Sequence, residues 1–155
     1  EAKFPLLVRR YDYNVEGGVG AGAHRGGFGL VRDYEIECDD AVLYGSFGRT
    51  ATLPWGVDGG GEGSVNGIEV TRGSGRTRLT RTPRFALRRG DHVRIVTGGG
   101  GGWGDPAKRA PDAVARDIRD GLLTAAEAAA TYRVVVDASG AVDRAATARL
   151  REAAR

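Results

Sequence analysis

The residues best placed to do chemistry lie in two glycine-rich stretches. One is Gly98–Gly102 with Trp103, Gly104, Asp105 and Pro106 behind it, and the other sets His24 and Arg25 among glycines. The backbone N–H groups of Gly99, Gly100, Gly101 and Gly102 could together hold an anionic intermediate, as successive amides do in anion nests. Arg25 could pair with a carboxylate or phosphate, His24 stands beside it, and Asp105 closes the glycine loop. These seven residues are the candidate substrate or anion site; the catalytic residues themselves are not assigned. Ordering five glycines in a row costs much backbone entropy, so a fold keeps them only for positive φ or for close approach of a backbone or ligand. The expectation is that the run presses against a neighbouring polypeptide, with Trp55 and Trp103 as interface anchors.

Other chemistries lack their residues. Gly99–Gly104 formally matches G-x-G-x-x-G and follows a strand, but Asp105-Pro106 stands where a dinucleotide fold opens its helix, and no Gly-Lys-Ser/Thr is present. His24 and His92 are too few for a zinc or iron site unless carboxylates or another chain join them, so no metal ligand is assigned. His92 begins a strand and reads as structural. Asp58 and Glu62 could form an acid/base pair, although aspartates in such loops usually bind backbone. Ser46, Ser64 and Ser74 lack the G-x-S-x-G setting of a hydrolase nucleophile. Cys38, between Glu37 and Asp39, is poorly placed to become a thiolate, and a single cysteine excludes an internal disulfide.

The elements that must position these loops are mostly strands. Phe4–Tyr13 is rich in apolar and aromatic residues. Leu30–Glu37 alternates, with Leu30, Arg32, Tyr34 and Ile36 on one face. With Ala41–Phe47 it forms an expected hairpin through Asp39-Asp40. Ile68–Val70 and Thr77–Thr82 flank a turn at Ser74-Gly75, and Phe85, Leu87 and Asp91–Val96 complete the β part. Pro111 and Asp112 suit a first helical turn, Val114 and Ile118 share a face, and Gly121 can end that helix. Thr124 and Glu127 make a capping box for a helix running to about Tyr132. Arg133–Asp137 reads as extended, and Asp143 caps a last helix ending near Arg151. The fold class is therefore α+β: mainly antiparallel β with long glycine-rich loops over residues 1–106, then a small helical segment over 107–155 packing on it as one structural unit.

The 155 residues fit one domain, and the 26 glycines cluster between apolar runs rather than forming a linker or a collagen repeat. The net charge of +3 is small. Arginines crowd Arg72–Arg94 (Arg72, Arg76, Arg78, Arg81, Arg84, Arg88, Arg89, Arg94), but few aromatics interleave, so they read as a solvated face and not a nucleic-acid surface. No apolar run spans a membrane and no secretory signal is seen. The start at Glu1 without methionine points to a trimmed, processed or excised chain.

Several blocks, in order, resemble the C-terminal end of the hydantoinase B/oxoprolinase family. They are Phe4–Ile36, Leu53–Gly63 (LPWGVDGGGEG) and Leu87–Tyr132, which holds TGGGGGWGDP. Two departures stand out: family members commonly carry proline where this chain has Gly98, and glycine where it has Arg133. The segment after Asp137 looks like a lineage-specific tail. The resemblance implies a cytoplasmic, ATP-dependent hetero-oligomer. A hydantoinase A-like subunit would bind ATP and activate the substrate by phosphorylation, and the remaining N-terminal hydantoinase B-like chain would complete the site. ATP and a divalent metal are implied for that complex, not for this chain. The implied reaction is ring opening of hydantoin, 5-oxoproline or a lactam, or alternatively carboxylation of a ketone; the chain alone is expected to be inactive. A non-catalytic β-rich binding or assembly module is the alternative from another class. No nucleic-acid or membrane partner is expected.

Overall fold

A computed structural model describes Glu1 and residues 3–153. Seven strands and three short α-helices follow one another in the expected α+β order. The strands are β1 (Leu6–Tyr13), β2 (Leu30–Ile36), β3 (Val42–Ser46), β4 (Gly67–Arg72), β5 (Gly75–Leu79), β6 (Arg81–Ala86) and β7 (His92–Val96). Five of them form an antiparallel sheet in the order β1-β2-β7-β4-β5, and β3 and β6 form a second, two-stranded sheet.

The expected hairpin of Leu30–Phe47 does not form. β2 pairs with β1 and β7, while β3 pairs with β6. The reason is burial. Ile36 of β2 and Leu43 of β3 belong to one apolar cluster with Ile68, Val70, Leu87 and Val93. Placing the two strands in different sheets lets their apolar side chains meet face to face across that cluster. The hairpin around Ser74-Gly75 does form, joining β4 to β5 with Gly73 at φ 56°.

The chain groups into two compact units, residues 1–18, 28–54 and 64–99, and residues 19–27, 55–63 and 100–155. The glycine loops of residues 19–27 and 55–63 thus group with residues 100–155. The first unit holds the strands. Its sheet is apolar on one face and carries matched charges on the other, where Arg94 grips Asp33 at 2.7 and 2.8 Å and Arg9 meets Glu35. Asp91, 2% exposed, is held by Arg72 at 2.6 and 2.8 Å and by the Arg88 N–H at 2.9 Å. The hydrogen bond from Arg72 outweighs the effect of burial and keeps the Asp91 carboxyl below the usual aspartate range.

The second unit closes on Val114, Ala128, Tyr132 and Val134. Helix α1 (Pro111–Arg119) starts at Pro111 with Asp112 in its first turn, and Gly121 follows it at φ 70°. Helix α2 (Ala125–Glu127) carries the full Thr124/Glu127 capping box and continues as a π-helical turn, Ala128–Tyr132. Arg133 ends that turn at φ 53°, ψ 43°. This left-handed conformation favours glycine, the residue that the family resemblance leads one to expect there. Residues 133–137, expected as a short strand or an extended segment, carry an isolated bridge, Val136 to Val142. Helix α3 (Arg144–Glu152) is capped by Asp143, and its Thr147 hydroxyl accepts the Val135 N–H at 3.0 Å. Among the described residues no helix is long and apolar enough to cross a membrane.

Two outcomes follow from these contacts. The Asp91 carboxyl ionises at lower pH in the folded chain than in the unfolded one. Its contribution is therefore complete above the ordinary aspartate range and is lost as pH falls through the folded value. Urea titrations at several pH values should show Asp91→Asn less stable than the parent near neutrality, by about 1–3 kcal/mol, with the gap closing on acidification. Arg133→Gly relieves a left-handed backbone and should raise stability by roughly 1 kcal/mol, read from the urea midpoint.

Candidate functional site

In the first unit, the beginning of the glycine run is already tied down. The Gly98 N–H donates to Asn66 Oδ1 at 2.8 Å and the Gly99 N–H to Ser64 Oγ at 2.8 Å. A side chain at Gly98 would run into the Ser64 carbonyl oxygen. The loop uses both the Gly98 N–H and the empty space beside its Cα.

In the second unit, residues 100–104 lie against two further glycine-rich segments, which also bond each other, the Gly61 N–H donating to Ala21 O at 2.7 Å. The Gly20 N–H donates to Gly100 O at 2.8 Å, and the Gly100 N–H to Gly27 O at 2.9 Å. Toward residues 55–61 the Gly102 N–H donates to Gly61 O, and the Val57 N–H to Gly102 O, both at 2.9 Å. His24 and Trp103 exchange a pair of backbone hydrogen bonds at 2.8 and 3.0 Å. A methyl group at Gly102 would meet Ala21 O, one at Gly60 would meet Gly102 O, and one at Gly101 would meet Trp55 O. Within the run and its trailing glycine, only Gly104 takes positive φ, 75°. Close backbone approach therefore explains the glycines. The expectation that a neighbouring polypeptide makes this approach is corrected: the backbone pressed against the run belongs to the same chain.

This arrangement changes what the candidate residues can do. Gly99, Gly100 and Gly102 have given their N–H groups to their own chain, which leaves Gly101 as the one amide of the four without an acceptor among the described residues. A concerted nest is thus not presented. Asp105 accepts the Ala107 N–H at 2.9 Å and caps the 3-10 turn Pro106–Lys108. Arg25 finds its carboxylate inside the chain, since Nε and Nη2 each reach Asp117 at 3.0 Å. Arg109 binds the same carboxylate at 2.9 Å and lies 5.9 Å over the Tyr132 ring. Burial alone would raise the Asp117 carboxyl, but the hydrogen bond from Arg25 and the charges of Arg25 and Arg109 outweigh it and leave it low. The loop bearing His24 is thereby locked to α1.

His24 itself is exposed, with its ring 5.4 Å from that of Trp103. Trp55 is 70% exposed, Trp103 50% and Val57 46%. Val57 bridges to Trp103 through the backbone, so Trp103, His24 and Val57 share one rim. Among the described residues no three His, Cys, Asp or Glu gather into a metal set. In the first unit, Arg72, Arg76, Arg89 and Arg94 pair with Asp91, Glu69, Asp39 and Asp33, so half of the arginine-rich stretch is matched by its own carboxylates.

Sequence reasoning missed Asp117. The sign was there: Asp117 falls in the apolar stripe of α1, three residues after Val114 and beside Ile118, and a carboxylate in such a stripe needs a cation. Gly102→Ala should destabilise the folded chain by roughly 3 kcal/mol or more, because the obstructing atom is backbone and cannot rotate away. Gly27→Ala, which meets nothing within 4 Å, should be nearly neutral; thermal melts of the pair read the difference.

A profile of the family described as Hydantoinase B/oxoprolinase matches residues 1–106. The B component of a putative D-/L-hydantoinase from Pseudomonas sp. (strain NS671) is 30% identical over 98% of this chain and 26% of its own length. The beta component of the caprolactamase from Pseudomonas jessenii is 33% identical over 95% of this chain and 26% of its own. The crystal structure of the ATP-dependent caprolactamase from Pseudomonas jessenii superposes with a TM-score of 0.75 at 28% identity, covering 97% of this chain and 27% of that one. The nucleotide-free acetone carboxylase structure gives 0.78 at 24% identity, over 97% of this chain and 25% of that one, a likeness of fold. The chain thus spans about a quarter of the length of the relatives it matches. The alignments cover nearly the whole chain, so the segment after Asp137 is shared with relatives and not peculiar to one lineage. This chain belongs to the hydantoinase B/oxoprolinase family.

Proposed function

We propose that the chain is the C-terminal portion of a hydantoinase B-type component in an ATP-dependent, multi-subunit enzyme that opens cyclic amides. The observation that carries this reading is the use of the glycine-run amides by the chain's own backbone carbonyls and by the Ser64 and Asn66 side chains. The loops act as a rigid scaffold, and the chemistry needs further parts. Relatives named as subunits of a hydantoinase and of a caprolactamase support a place in a larger assembly. In that assembly a complementary B-type portion and an A-type ATP-binding polypeptide are the partners, and ATP and the divalent metal are assigned to them. Trp103 and Trp55 serve as anchors toward a partner, since large exposed aromatics on a stiff loop lose little entropy on docking. His24 and the Gly101 amide are the groups this chain offers toward substrate. Ketone carboxylation is the second reading, supported by likeness of fold to acetone carboxylase.

Reconstitution with co-expressed A-type and complementary B-type polypeptides tests the proposal. ATP-dependent ring opening of hydantoin, 5-oxoproline or caprolactam should appear only with all parts present. Bicarbonate-dependent ATP consumption with acetone would instead favour the second reading. Turnover by the chain alone would overturn both. Trp103→Ala should weaken assembly about 10-fold or more, with an unchanged melting profile of the isolated chain.

A further inference from the structure

The alternation of β2 places Arg32 on the same face as Leu30, Tyr34 and Ile36. That is the apolar face of the five-stranded sheet, where a charge is out of place. The register sets Arg32 between Tyr11 of β1 and Ile95 of β7, with Ile68 beyond. None of these neighbours is acidic. The guanidinium lies 5.8 Å from the Tyr11 ring, and its Nε is buried without a hydrogen bond. Among the described residues Arg32 has no carboxylate, whereas Arg9, Arg72 and Arg94 each have one. The β3–β6 layer covers only part of this face, through Leu43 and Phe85. At the β1 end Val8 is 40% exposed, Tyr11 67% and Tyr13 52%.

An apolar patch with a half-sheltered, unmatched cation is incomplete by itself. Tyrosine and arginine are also the residues that dominate binding energy at interfaces. We infer that Val8, Tyr11, Tyr13 and Arg32 dock an apolar segment carrying a carboxylate, contributed by the complementary portion of the B-type polypeptide. This rests on the proposed function, which requires that portion. Two considerations select the occupant. A second copy across a two-fold axis would set Arg32 near its own counterpart, a repulsive contact. The relatives extend over about four times the aligned length, so ample polypeptide exists to cover the face. The carboxylate accepts from Arg32 Nε and one Nη, and Tyr11 stays stacked on the guanidinium as the patch is dried.

The test is binding of the full chain to the complementary B-type polypeptide of the same genome, by biolayer interferometry. Arg32→Glu should weaken the complex roughly 100-fold, and Tyr11→Ala roughly 10-fold, since charge reversal at a dried contact costs more than truncation. Tyr11→Ala should keep the parental circular dichroism and melting point, because Tyr11 is 67% exposed and lies outside the apolar cluster; Arg32→Gln, which removes the charge without setting a carboxylate on the apolar face, should weaken the complex roughly 10-fold. A photo-cross-linking residue at Tyr13 should capture a segment of the complement containing Asp or Glu. Parental affinity in the Tyr11 and Arg32 variants would overturn the inference and leave the proposed function standing. Self-association of the chain that Arg32→Glu abolishes would overturn it in favour of a second copy. Failure of the parental chain to bind the complement would overturn both.

Discussion

The second unit depends on backbone lying directly on backbone. Residues 20–27, 55–61 and 100–104 share hydrogen bonds at distances that leave no room for a β-carbon at Gly20, Gly60 or Gly102. Such a layer buries almost no apolar side chain, so its cohesion comes from satisfied amides and carbonyls. It therefore needs apolar anchors elsewhere. Val114, Ala128, Tyr132 and Val134 supply them on the helical side, with Ala21 of a glycine segment packed against that cluster.

Charge fixes what the glycine layer cannot. Arg25 and Arg109 converge on Asp117, and Arg72 closes on Asp91. Each buried carboxylate is bound from at least two directions, the condition under which a charge can stay out of water. In the first pairing the result is positional: the loop that carries exposed His24 is held to a helix, and Trp103 is bonded to that loop. A rim of aromatic groups on so stiff a base meets a partner with little left to order.

Much of this was legible in the residues. The alternation in Leu30–Ile36, the Thr124/Glu127 box, Pro111 and Gly121 each carry a local rule that the structure obeys, and the family resemblance rests on whole blocks. What failed was non-local. Nothing within Leu30–Phe47 says that its two strands belong to different layers, because that choice is made by Leu87, Val93 and Ile68 far along the chain. Glycine has no side chain to name its neighbour, so the run at Gly98–Gly102 announced close approach without saying to what. Arg25 announced an anion without saying that Asp117 would be it. The substrate-facing role of these residues was the least readable, since the same amides serve a ligand or a scaffold equally well.

The packing of three glycine segments also constrains the route by which the chain reaches its native state. Gly20, Gly61 and Gly102 stand roughly 40 residues apart in succession, so each contact closes a long loop before it returns any stabilisation. Glycines offer no hydrophobic attraction to hold an early encounter together. Within the second unit the apolar cluster around Val114 can gather by side-chain burial, whereas the glycine contacts return hydrogen bonds only once their segments are already close. A chain built this way is exposed, while nascent, through its most extensible segments, and synthesis from the N-terminus delivers residues 100–104, which bond both other segments, last.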